Sequence, residues 1–149
     1  MKNLIKLTES ICNTYDLVYQ GERVYAPNGD VTYCNYAANS VALGMGCTDL
    51  IGLMANEIYA KLSLSDGWQR IEMKDAQFTA NQGSLVFAVQ ANAAGHGHIC
   101  VVRPGLERKS GKWGTVPVVM NIGKECSISK GVNWAFGQLP DFYVWKKSL

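Results

Sequence analysis

The sequence predicts an α+β domain in which N-terminal helices pack on an antiparallel β-sheet. Two observations carry that expectation. Apolar residues in the first part recur at helical spacing, from Leu4, Ile5, Ile11, Cys12, Tyr15 and Val18 to Ala37, Ala38, Val41 and Ala42. The second half carries short β-favouring runs instead, bounded by glycine and proline, and the loop 91–97 is short enough to join two of them as a hairpin.

The spacing in the first segment predicts a helix over roughly 3–17, ended by Gly21. Residues 22–33 read as loop, with Pro27 and the turn Asn28-Gly29-Asp30. A helix then starts near Tyr33 or Cys34, with Asp30 or Thr32 as N-cap, and Gly44 or Gly46 stops it. A second amphipathic stretch, 48–62, is capped by Thr48 and carries Leu50, Ile51, Met54, Ile58 and Tyr59 as a core stripe. Ser63 to Gly67 is a turn, and Asp75 caps a short helical turn ended by Gly83. Strands follow at 85–89, about 97–102, 116–122 and 142–145. Between them, 105–114 is a polar, mostly basic excursion with Arg108, Lys109 and Lys112, read as a solvated loop.

A chain of 149 residues, 48% hydrophobic and 17% charged, describes one globular domain over 1–149 with a real core. A net charge of +2 is too mild for nucleic acid as the main ligand. Lys6 and Glu9 interrupt the N-terminal apolar residues, so neither a secretory signal nor membrane insertion is expected. The five cysteines include no CxxC pair, and their odd number fits reduced thiols in a cytoplasm.

Both histidines lie in Ala94-Gly95-His96-Gly97-His98-Ile99-Cys100-Val101-Val102. A histidine at the mouth of a buried strand is held rigidly with its ring reachable, which suits a general base near pH 7. Cys34 stands at a helix start, where backbone N–H groups and the helix dipole favour an anion and lower a thiol's pKa. The expected pair is therefore Cys34 as nucleophile and His98 as base. His96 shares the alternation of His98 but sits in the loop, and is expected to line the cleft. Asn121 closes an apolar strand where a polar side chain has no packing purpose; Glu125, beyond Gly123, is its competitor. Cys100 reads as core filling.

The order of cysteine at a helix start, Gly-His strand and polar residue on the next strand resembles papain-like enzymes of the NlpC/P60 and CHAP group. Gly97-His98-Ile99-Cys100-Val101-Val102 is similar to the Gly-His-Val-Ala-Val-Val segment of CHAP domains. Val118-Val119-Met120-Asn121 is similar to the strand on which many of those domains carry a Glu and, two residues on, an Asn; here Val119 replaces the Glu. Tyr33-Cys34-Asn35-Tyr36-Ala37 departs from their Gln-Cys-Thr-Trp-Tyr-type run. The resemblance, over roughly 28–123, implies cleavage of amide bonds in peptidoglycan peptides, as in bacteriophage endolysins. Catalysis would use Cys34, His98 and Asn121 and pass through an acyl-enzyme. The oxyanion would be held by the Cys34 N–H and a second donor such as Asn28 or Tyr33.

No cofactor and no metal is expected; two histidines among scattered cysteines are a weak zinc signal, and no P-loop, GxSxG or dinucleotide fingerprint occurs. Most of Trp68, Trp113, Trp134 and Trp145 are expected in the core or at its rim, with stacking on sugars as the alternative. The chain is expected to act as a monomer, held in the cytoplasm until release to the wall, and phage-encoded. The alternatives are a non-catalytic structural or wall-binding protein on the same fold, or a papain-like toxin effector or acyltransferase.

Overall fold

The computed structural model describes residues 2–20, 25–29 and 32–149, with residues 2–10 as backbone only. Its elements are helix α1 (Lys2–Gln20), α2 (Cys34–Gly44), α3 (Ala55–Leu64), strand β1 (Trp68–Ile71), α4 (Met73–Asn81), β2 (Val86–Gln90), β3 (His98–Val102), β4 (Arg108–Ser110), β5 (Gly114–Val116), β6 (Val118–Asn121), β7 (Ser127–Gly131) and β8 (Asp141–Trp145). Six strands form one antiparallel sheet in the order β1-β8-β2-β3-β6-β7, and β4 and β5 form a separate hairpin. The expected α+β class, helices on an antiparallel sheet, is what the chain adopts.

Strand alternation divides the core. Phe87, Val89, Ile99 and Val101 point to one face and meet Ile11, Tyr15, Ala38, Val41, Ile58 and Leu62 from α1, α2 and α3. Val86, Ala88, Cys100 and Val102 point to the other, against Ala76 and Ala80 of α4 and against Val132 and Phe136. Every one of these side chains is buried, which explains why β2 and β3 read as unbroken apolar runs. Among the described residues no helix is long and apolar enough to cross a membrane.

Several expected boundaries move. The helix expected over 48–62 begins only at Ala55, because Gly52 takes a left-handed φ of 75° that a helix cannot contain. Thr48 therefore caps nothing; the Met54 N–H, at the N-cap, donates to the Glu57 carboxylate at 3.0 Å. Ile51 and Met54 are consequently exposed, while Leu50 and Ile58 stay in the core. The helical turn expected at Asp75 is a helix starting at Met73. Helix α2 has Tyr33 at its N-cap with no side-chain cap bond, so Thr32 does not serve; Asp30, and the side chains of Leu4 and Ile5, lie outside the described residues. Pro117 splits the strand expected over 116–122, and the basic excursion is the β4–β5 hairpin. Strands β1 and β7 were not expected: Trp-Gln-Arg-Ile and Ser-Ile-Ser-Lys-Gly carry too few apolar residues to announce themselves, and pairing with β8 and β6 makes them strands.

Candidate active site

The site forms where α2 and β3 begin and β6 ends. Helix α2 packs across β3, which brings Cys34 against the start of that strand. Strand β6 pairs with β3 as Val101↔Met120 and Val102↔Val119, so Asn121 falls beside Cys100 on the alternation shared with His98. The glycine before His98 is a steric requirement. A Cβ on Gly97 would lie 2.6 Å from both the Gln90 carbonyl oxygen and Asn56 Oδ1.

His98 Nε2 and Asn121 Oδ1 are 2.7 Å apart. Asn121 Nδ2 donates to the Glu125 carbonyl at 2.8 Å, which fixes the amide so that its oxygen faces the ring. That oxygen only accepts, so Nε2 must carry the imidazole proton. Nδ1 is then the basic nitrogen, and it has no hydrogen-bond partner among the described residues. Phe136 packs its ring 5.0 Å from the imidazole centroid, and Gly123 lies so close to Cε1 that a Cβ there would be 3.1 Å away. The ring is held on several sides. Glu125, the competitor for the third position, contributes its backbone carbonyl.

Burial lowers the His98 pKa from its ordinary 6.5, and the bond to Asn121 opposes this only in part. Above pH 6.5 the ring is neutral folded or unfolded. Below 6.5 the unfolded chain takes the proton more readily, so stability falls as pH drops through the folded pKa. Chemical denaturation at pH 7.5 and pH 5.0 is expected to show a smaller acid loss for His98→Gln than for the parent. Equal acid losses would mean that His98 is not held neutral.

Cys34 is 6% exposed, and the backbone N–H groups of Ile99, Asn35 and Cys34 itself are near enough to favour its thiolate. They pull the thiol pKa down, but burial outweighs them and the pKa is raised. The helix start does supply donors, as the sequence suggested; the expected net lowering does not follow, because removing the sulfur from water costs the thiolate more. At rest the thiol and the imidazole are both neutral. No hydrogen bond joins Cys34 Sγ to the ring among the described residues. The Cys34 sulfur sits with Ile99 on the helix-covered face, whereas His98 turns with Cys100 toward Phe136 on the other.

Two clefts reflect this arrangement. One, of about 560 Å³, holds His98, Asn121, Gly123, Lys124, Glu125 and Trp134. The other, of about 330 Å³, holds Cys34, Asn35, Met54 and Asn56. Thr32, His96 and Gly97 line both, so the clefts meet over the strand start. Their combined size suits a peptide segment. His96 thus lines the cleft as expected. Asn28 is exposed and lines neither cleft, and Tyr33 lines neither and packs against Tyr36 at 5.9 Å. Neither is placed to serve as the second oxyanion donor expected of one of them, whereas the Asn35 N–H lies near the sulfur.

Sequence reasoning passed over four residues. Asn56 clamps the glycine loop, donating to the carbonyls of Asn92 and Gly95 at 3.0 Å each and accepting from the Asn92 N–H at 2.9 Å. Phe136 and Gly123 confine the ring, and Cys100 touches both polar members of the site. The alternation of His98 with Cys100 was a signal for the last. Trp68 is buried and Trp134 is 67% exposed at the cleft, so only the second is free to meet a ligand. Among the described residues no group of three His, Cys, Asp or Glu side chains is placed to hold a metal ion. Neither the models of known protein families nor the curated proteins give a match to this chain.

Proposed function

We propose that the protein is a cysteine amidohydrolase of papain-like type, an endopeptidase or amidase that cuts amide bonds of peptidoglycan peptides in the manner of an endolysin. The observation that carries the reading is the 2.7 Å bond between His98 Nε2 and Asn121 Oδ1, which leaves Nδ1 free as a base on a strand whose first residues also receive Cys34. The mechanism requires Cys34 and His98 Nδ1 to come within hydrogen-bond reach over the start of β3, where the two clefts meet. His98 Nδ1 then takes the Cys34 proton while the sulfur attacks the amide carbonyl carbon. The negative oxygen so formed meets the Cys34 and Asn35 N–H groups at the helix start. As the C–N bond breaks, the imidazolium returns its proton to the leaving amine, and a thioester remains. Water, deprotonated by the same nitrogen, releases the acid and restores the thiol. No cofactor enters this sequence of steps.

The peptidoglycan substrate rests on the resemblance of 97–102 and 118–121 to CHAP strands, and the phage context, release from the cytoplasm and monomeric state belong to the same proposal. Digestion of purified cell walls, with the new ends identified by mass spectrometry, tests it directly. New amino and carboxyl ends in stem or cross-bridge peptides support the proposal; intact walls that still bind the protein point to the non-catalytic wall-binding alternative.

Asn121 offers a graded test. Removing it should leave the nucleophile and disturb the ring, so Asn121→Ala should lower kcat about 10- to 1000-fold. Asn121→Asp keeps an acceptor and should retain more activity. Full kcat in Asn121→Ala would remove Asn121 from the mechanism.

A further inference from the structure

We propose that Cys100 is a positioning residue of the site: its thiol donates to Asn121 Oδ1 and, with the imidazole, holds that oxygen in place. The Cys100 sulfur lies 3.0 Å from Asn121 Oδ1 and 3.2 Å from His98 Nε2. The thiol is 2% exposed, and burial raises its pKa well above the ordinary value, so it stays protonated and acts as a donor. Asn121 Oδ1 has two lone pairs and receives two hydrogens, one from Nε2 and one from sulfur. The amide nitrogen is occupied by the Glu125 carbonyl. Every polar atom of the Asn121 side chain is thus engaged, and the amide cannot flip without losing these bonds.

The arrangement selects a tautomer. A Cys100 thiol donating to Nε2 instead would leave the proton on Nδ1, and the ring would present a donor where a base is needed. Donation to Asn121 avoids this. It also weakens the oxygen as an acceptor, so it moderates how strongly Asn121 stabilises the imidazolium. The other groups around the ring are Phe136, Gly123, the Lys124–Glu125 turn and His96, and a change at Cys100 alters none of them chemically; Cys34, which acts on the Cys100 thiol, lies on the opposite face of the strand. As a statement about catalysis the inference rests on the amidase reading; as a statement about the imidazole it stands by itself.

The test is the titration of the His98 Cε1–H resonance by NMR in the whole chain, assigned with His96→Gln, since the chain has only two histidines. Cys100→Ala should raise the His98 pKa by about half a pH unit, a threefold change in proton affinity, because Asn121 Oδ1 is released to the ring. Cys100→Ser keeps a donor and should titrate at or below the parent. In wall digestion, Cys100→Ala should lower kcat about 3- to 10-fold with little change in KM, and Cys100→Ser should recover most of it. Should alanine unfold the protein, Cys100→Val fills the space without a donor and is read in the same way. Alanine (or valine) and serine variants that titrate alike, whether shifted or not, would reduce Cys100 to packing and overturn the inference. Failure of the amidase reading is seen separately, as a parent protein that leaves walls uncut while His98 still responds to Cys100.

Discussion

Cys34→Ala is expected to fold normally and to lose wall-cleaving activity by about 10³-fold or more, since no other group can form the thioester. Cys34 is buried in the helical core cluster, so the lost sulfur leaves a small void worth about 1 kcal/mol, too little to unfold the domain. The other cysteines do not compete on geometry. Cys47 is fully buried after α2, Cys100 lies within the sheet, and neither Cys12 nor Cys126 lines the two clefts. With its pKa raised by burial, Cys34 should alkylate slowly at pH 7 and faster as pH rises past 9, the ordinary thiol value. Hydrolysis should behave differently. It needs His98 neutral, and because the His98 pKa is lowered, the acid limb of kcat/KM should lie below pH 6.5. A Cys34→Ala protein that cuts walls as well as the parent, beside an inactive Cys47→Ala, would move the nucleophile elsewhere.

His98→Ala is expected to lower kcat by about 10³-fold, against a change mainly in KM for His96→Ala. The two rings differ in what holds them. His98 has Asn121, Phe136 and Gly123 around it and a place in the β3 ladder opposite Gln90. His96 is exposed in the loop clamped by Asn56. Yet His96 lines the same cleft as Cys34, and His98 lines the neighbouring one, a specific reason to consider His96 as the base. His98 is favoured because Asn121 fixes its tautomer, with Nδ1 as the basic nitrogen. Matched kcat values for the parent and His98→Ala, with His96→Ala inactive, would give the base to His96.

The helices were legible from apolar residues at helical spacing, and the central strands from their uniform burial. Val86 to Val89 and Ile99 to Val102 are covered on both faces, so only apolar β-formers fit, and the composition of those runs announces them. Cys34 at the start of a helix and His98 at the start of a strand were equally legible, since each follows a turn-rich loop and opens an apolar pattern. Asn121 could be singled out as a polar residue ending an apolar run. Its partner could not, because the 2.7 Å bond exists only once β6 is paired with β3.

What the sequence determined by itself was therefore the helices, the central strands and the order of chemically able residues along them. Gly52, whose positive φ delays α3, shows where even local reading slips: the apolar spacing of 48–62 is helical, and one backbone angle overrides it. Tertiary structure alone decided three things. It set the direction of the Cys34 pKa, because burial is a property of the packed core and outweighs the helix N–H groups that the sequence reveals. It made β1 and β7 strands by pairing them. And it placed Cys100 on Asn121 and Phe136 on His98, contacts between residues 21 and 38 positions apart that only the register of the sheet and the return of the chain after β7 bring together.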